Sequence, residues 1–251
     1  MNKLKRPMKT LVIIPSRLSA SRLPGKPLLK INGLSMISHV FKRAEKANIG
    51  DVIVAAEDQE IIDDVKQNGG QAVLTSDKHK TGTDRIFEAI KKIKIANVDL
   101  IMNLQGDEPL ININDIKNLN EVMIKTNSQM GTLGSKINDK AIYQNENFVK
   151  VITKESLKNL NFSEAINFKR KTSDLNNNTY HHLGVYCYKF ETLKKFVSLK
   201  QSSAEIKNKL EQLRALENDI KINVALAKTA SIGVDTKEDL VAIKKIMEYK
   251  S

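Results

Sequence analysis

The chain has 251 residues, 41% of them hydrophobic and 28% charged, with a formal net charge of +12; it can bury a sizeable core and is unlike a disordered chain. No apolar run approaches the roughly 20 residues that span a bilayer, and the LVII after the basic start is too short for an export signal, so a cytoplasmic protein with no membrane partner is expected. Lysine supplies 34 of the 41 basic residues without interleaved aromatics, which reads as solvated surface rather than a nucleic-acid stripe, and the single cysteine, Cys187, excludes an intrachain disulfide or a cysteine-built zinc site.

In chain order, TLVIIP (Thr10 to Pro15) is a short apolar run stopped by proline, which predicts a buried strand. After a polar loop to Pro27, MISHVFKRAEKA carries Met36, Ile37, Val40, Phe41 and Ala44 on one helical face. DVIVAA predicts a strand, DQEIIDDVKQNGG a helix closed by Gly69 and Gly70, QAVLTS a strand and TDRIFEAIKKIK a helix. DLIMNLQG predicts a fourth strand, and residues 113–125 a further helix. This alternation predicts an α/β fold with a mostly parallel sheet flanked by helices. In such sheets ligands collect at the carboxyl ends of the strands, so the loops after TLVII, QAVL and DLIMNL are where chemistry is expected. No G-x-G-x-x-G follows the first strand, which argues against a dinucleotide site.

The second half is less regular. FVKVIT, HLGVYCYK and KINVAL predict strands and SAEIKNKLEQLRALEN a helix, while residues 154–179 resist assignment. Strands without long helices between them predict a smaller mixed lobe over about residues 130–200 within a single domain 1–251.

Three segments carry candidate chemistry. PSRLSASRLPGKPL holds Arg17, Arg22 and Lys26 among three prolines, and cations fixed in advance suit a polyphosphate. Gly25–Lys26 is followed by Pro27, so this is not a Walker A loop. LQGDEP places Asp107 directly after a strand, where it could be a magnesium ligand or the cap of a turn. In SIGVDTKEDL, Asp235 follows a predicted short strand; taken alone, it reads better as a helix N-cap than as a ligand.

Together, IIPSRLSASRLPGKPLLKINGLSMISHV, TSDKHKTGTDRI, LQGDEPLI, HHLGVYCYK, LEQLRALE and VDTKEDL resemble, in order and spacing, the sugar-acid cytidylyltransferases, specifically the CMP-Kdo synthetase (3-deoxy-manno-octulosonate cytidylyltransferase) family. The resemblance runs from about residue 11 to 240. It implies a nucleotidyltransferase fold (GT-A-like, Rossmann-like) and a homodimer that uses CTP, Mg²⁺ and a Kdo-type sugar acid. It assigns Arg17 and Lys26 to the triphosphate and Asp107 with Asp235 to the metal, making Arg17, Lys26 and Asp107 the expected catalytic set. Arg22, Thr81, Gly82, Thr83, Arg85 and Gln105 are the further nucleotide-binding residues it implies. Gln105, His182, Tyr186, Glu211 and Gln212 match sugar-acid contacts. On residue type alone, His182 reads better as a structural strand residue, and Glu211 and Gln212 have a solvated helix face as the alternative. His182, Gly184 and Tyr186 share one face of a predicted strand.

One departure bears on the sugar. The family pattern has an arginine in a Phe-Ser-Arg segment, and here NFSEAINFKR has Glu164 at that position. A carboxylate substrate would want the cation; Arg170 is expected to take the role, with a nearby lysine, a different sugar acid such as an amino-modified octulosonate or a nonulosonic acid, or reduced activity as alternatives. The rivals of another class are a basic nucleic-acid-binding protein and a catalytically silent interaction subunit.

Overall fold

Residues 6–19, 22–93, 95, 97–159, 161–173, 176–230 and 233–248 are described by a computed structural model. Strand β1 (Thr10–Ser16) lies between two parallel neighbours, β4 (Gly50–Ala56) and β6 (Leu100–Asn103), and β5 (Ala72–Leu74) extends the sheet beyond β4. Because successive side chains of a strand point to opposite faces, Val12 and Ile14 enter one core and Leu11 and Ile13 the other. Helices α1 (Met36–Ala47), α2 (Gln59–Gln67) and α4 (Ile113–Thr126) cover the first face. Helices α3 (Gly82–Ile93) and α5 (Phe190–Ser198) cover the second. Ser35 caps α1 by accepting from the Ser38 N–H, and the helix ends at Asn48 in the left-handed region. Ile37, Val40, Phe41 and Ala44, read as one face from their spacing, are buried together; each larger side chain among them contributes about 1.5–3 kcal/mol.

The sheet is mixed, not mostly parallel. Strand β10 (Thr179–Lys189) runs antiparallel between β6 and β7 (Met130–Ser135). Beyond β7 come β11 (Ile222–Leu226), β9 (Phe162–Lys169) and β8 (Lys150–Thr153). Four of the strand pairings in the described sheet are parallel and five antiparallel. The reason is that VYCY is buried on both faces and therefore reads like a central strand of a parallel sheet; hydrophobicity does not record strand direction. Strand β8 also pairs with the first residues of β10, so β10, β7, β11, β9 and β8 close into a ring.

The other differences are local. A two-stranded hairpin, β2 (Lys30–Ile31) and β3 (Leu34–Ser35), precedes α1. The helix predicted over SAEIKNKLEQLRALEN is two, α6 (Ser203–Asn208) and α7 (Gln212–Leu216), broken where Lys209 adopts φ 53° and closes α6. Helix α8 (Lys237–Glu248) follows Asp235. The predicted strand before Asp235 falls partly on Ser231 and Ile232, the predicted third helix runs on to Lys94, and the basic start includes residues 1–5; all lie outside the described residues. Among the described residues no helix is long and apolar enough to cross a membrane.

Candidate active site

A cleft of about 340 Å³ opens at the carboxyl ends of β1, β5 and β6, the three strand ends singled out by the alternation. Of the expected residues, Arg17, Arg22, Lys26, Thr81, Gly82, Arg85, Gln105, Asp107 and Asp235 line it. The β1 loop folds back on itself, with the Gly25 N–H donating to the Leu18 carbonyl at 3.0 Å. Gly25 sits at φ 69°, a left-handed conformation that glycine adopts without penalty. Pro27 is buried in the 3₁₀ turn Lys26–Leu28 that follows, and this sets the root of the Lys26 side chain.

The Lys26 ammonium is the centre of the charged end. It donates to Asp107 Oδ2 at 2.5 Å, Asp235 Oδ1 at 3.1 Å and the Val234 carbonyl at 2.9 Å. Burial pulls the Lys26 pKa down, but the two carboxylates outweigh it, and the net movement is upward. Arg22 donates to the other oxygen of Asp235 at 2.8 Å, and Arg17 is exposed at the rim. Two hard oxygen donors thus converge on one point from opposite ends of the sequence. The Val234 N–H to Asp107 carbonyl bond, 2.9 Å, ties their backbones together. Gly106 permits this approach: a Cβ there would lie 3.1 Å from both the Pro15 carbonyl oxygen and Ile37 Cδ1. Asp235 is not the N-cap suggested by its local sequence; its own N–H and that of Thr236 donate to Asp239, which leaves the Asp235 carboxylate free for Lys26 and Arg22.

The opposite wall is the start of α3. Thr81 caps it, accepting from the Asp84 N–H and donating to Asp84 Oδ2 at 2.9 Å. Arg85 is buried and pairs with Glu57 while donating to Thr75 Oγ1 and the Ser76 carbonyl. It shapes the wall with both of its terminal nitrogens engaged. Thr83 does not line the cleft; it is buried, and its hydroxyl donates to Glu211 Oε2 at 3.0 Å.

The remaining expected sugar contacts lie behind and beside the cleft. Gln105 reaches from it to the Gly184 carbonyl at 3.0 Å. His182 and Tyr186 are buried with ring centroids 5.4 Å apart, and His182 also meets Phe168 edge-on. They do share a face, but across an irregularity: β10 slips register against β7 between Leu183 and Tyr186, and Thr132 Oγ1 fills the bulge by donating to the Val185 carbonyl. Burial lowers the His182 pKa to about 3, so the ring is neutral at physiological pH. Gln212 is buried. Glu211 lines a second, open cavity of about 350 Å³ with Gln201, Glu205 and Lys209 rather than the first.

Ser16, Leu23, His79 and Lys80, which the motifs did not single out, also line the cleft. Ser16, the last residue of β1, is buried with its hydroxyl unpartnered and lines the cleft. His79 lines it too, paired with Glu88, which also accepts the Ser76 N–H. His79 stands inside TSDKHKTGTDRI, and as one of only four histidines it carried a signal. Arg170 is far from free: its guanidinium donates to the carbonyls of Glu146, Asn208 and Lys209. Glu164 lies 3.8 Å from Lys221.

Comparison with known proteins agrees with this geometry. A family model described as cytidylyltransferase matches residues 11–222. The chain belongs to the cytidylyltransferase family. A 3-deoxy-manno-octulosonate cytidylyltransferase of Afipia carboxidovorans is 42% identical over 244 residues, covering 95% of this chain and 96% of the relative. One of Thermodesulfovibrio yellowstonii is 41% identical over 255 residues, covering 97% and 100%. A solved CMP:2-keto-3-deoxy-manno-octonic acid synthetase complexed with CTP superposes with a TM-score of 0.87 at 33% identity, covering 97% of this chain and all of that one. The fold is accordingly that of a nucleotidyltransferase with a mixed sheet.

Proposed function

We propose that this cytidylyltransferase moves CMP from CTP to the anomeric hydroxyl of 3-deoxy-manno-octulosonate and releases pyrophosphate. The observation that carries the reading is the Lys26 ammonium held between Asp107 and Asp235 in a cleft at the strand ends. The hydroxyl oxygen forms a bond to the α-phosphorus, the bond to the bridging oxygen breaks, and the hydroxyl proton is released. Charge builds on the phosphates, so positioning and electrostatics do most of the catalysis. Lys26 and Arg22, held by Asp107 and Asp235, and Arg17 at the rim supply cations for the triphosphate. Asp107 and Asp235 fit magnesium, which is commonly held by one or two carboxylates with substrate phosphates and water; when bound, it would neutralise phosphate charge. Gln105 in the cleft is offered to the sugar acid directly, with Tyr186, His182, Glu211 and Gln212 behind and beside it as the further groups assigned to that substrate.

The test is pyrophosphate release with each of the four nucleoside triphosphates against a panel of sugar acids. Release with CTP and 3-deoxy-manno-octulosonate, and little with ATP or GTP, is the expected result. Equal release with all four nucleotides, or none with any acid, would sink the assignment. A nucleic-acid-binding protein would instead show steeply salt-dependent association with no need for CTP.

Glu164 supports a second reading, in which the acid bears an amino group. Arg170 does not resolve this, because each of its three nitrogens already donates to a carbonyl, at the end of α6 or at Glu146, which ties the guanidinium to that backbone. Arg170→Ala is therefore expected to leave the sugar's KM unchanged and to lower Tm by roughly 3–6 °C, the loss of about 1.5 kcal/mol of charged hydrogen bonding. Glu164→Ala separates the substrates: loss of turnover confined to an amino-bearing acid would favour the second reading. A CTP consumer needs a nucleotide pool, which supports a cytoplasmic site of action. Ile166, 60% exposed on β9, supports a contact with a second copy; sedimentation of a homodimer is the expected observation.

A further inference from the structure

Thr83 departs most clearly from its expected role, because it is buried beneath the nucleotide cleft rather than lining it. It also lies between residues of the two cavities. Thr81 and Gly82, immediately before it, line the first, and its own hydroxyl reaches Glu211 on the wall of the second. We infer that Thr83 is a positioning residue for the acceptor, fixing the Glu211 carboxylate so that one oxygen is left for the sugar acid. This rests on the proposed function above.

The geometry around Glu211 is asymmetric. Oε2 accepts from Thr83 at 3.0 Å. Oε1 is buried and has no hydrogen-bond partner. The nearest cation, Arg214, is 3.7 Å from Oε1 and is already engaged by Glu205 through two bonds of 2.6 and 2.8 Å. A buried acceptor left open is costly unless something fills it, and a sugar hydroxyl is a suitable donor. Thr81 also stands near Glu211, but its proton goes to Asp84 at 2.9 Å. Thr83, at 3.0 Å, is the donor that holds the carboxylate in place.

Electrostatics point the same way. Burial raises the Glu211 pKa, and the Thr83 hydrogen bond and the Arg214 charge oppose it, while Asp84 on α3 adds to the rise. Tyr186 and Tyr188 of β10 face the same carboxylate, both with pKa values driven upward by burial, so they stay neutral. Removing the Thr83 hydroxyl therefore moves the Glu211 pKa further up, and the ionised form is lost at a higher pH.

The experiment is steady-state kinetics of Thr83→Val and Thr83→Ser, varying CTP and the sugar acid separately across pH. For Thr83→Val the expected result is a fall in kcat/KM for the sugar acid on the order of 10-fold, the loss of one hydrogen bond to a charged group. Its KM for CTP should stay within about 2-fold of wild type, and the acid limb of the sugar-dependent profile should move to higher pH. Thr83→Ser should restore both. A rise in the KM for CTP with the sugar parameters unchanged would assign Thr83 to the nucleotide and overturn the inference. So would kinetics that stay at wild-type values, with or without a lower Tm. Wild-type turnover with the acid is measured first, so a failure of the proposed function is read before any variant is compared.

Discussion

Asp107→Ala is expected to lower kcat by on the order of 10²-fold, the scale of losing one preorganised electrostatic element, while the protein stays folded. The backbone tie between the Val234 N–H and the Asp107 carbonyl does not involve the side chain, and Lys26 keeps Asp235 at 3.1 Å and the Val234 carbonyl at 2.9 Å. What disappears is one of the two carboxylates that converge on the ammonium, and with it an oxygen ligand suited to magnesium. Turnover across a magnesium titration, with Tm measured beside it, makes the check. A variant that retains near-normal turnover at limiting magnesium would remove Asp107 from the catalytic set.

Glu205→Ala should give the largest stability loss, about 3–5 kcal/mol, because it strands a buried charge. Arg214 and Glu205 have side chains only 3% and 5% exposed and meet through two parallel bonds. The guanidinium also lies over the Phe196 ring, 4.8 Å from its centroid, so it has no route to water without disrupting α5. In a chain of this size the expected fall in Tm is about 6–20 °C. Glu205→Gln, which keeps the acceptor oxygen and the Ser202 capping geometry, should cost less. A Tm within about 2 °C of wild type for Glu205→Ala would show that Arg214 finds another partner, with Glu211 the nearest.

The cleft was more legible in the sequence than the lobe beside it. Its residues sit at the ends of strands whose β-branched runs are unambiguous, and its glycines and prolines mark backbone geometry directly. Strand β7 was missed because MGTLGS carries two glycines where β-branched residues are usual. Packing demands both: a Cβ on Gly131 would lie 2.7 Å from Met123 Sδ, and one on Gly134 3.1 Å from Val224 Cγ1. Strand β9 buries Ser163, Ala165 and Phe168, but its alternation breaks between Ala165 and Phe168 and its other residues are half-buried or exposed, so an Asn- and Lys-rich stretch of small residues hides it. Helix α5 was passed over because FETLKKFVS follows a strand with no intervening turn signal. The break between α6 and α7 rests on Lys209 in a left-handed conformation, which composition does not announce. Thr83 reads with its sequence neighbours for a similar reason: its motif lies on a helix start, where adjacent residues point in different directions, and Thr83 turns into the interior while Thr81 and Gly82 face the cleft.

The closure of β8 onto β10 has a consequence for solubility. An open sheet presents unpaired backbone at both ends, a template for pairing with another chain. Here β8 is bonded on both sides, to β9 and to β10, leaving β5 as the outer strand of the large sheet among the described residues. That strand has three residues, and the Lys92 ammonium donates to the carbonyl of its last one, Leu74, at 2.9 Å. A short edge guarded by a charge offers little to an incoming strand, so edge-to-edge polymerisation of the folded protein is disfavoured even though Leu74 is exposed.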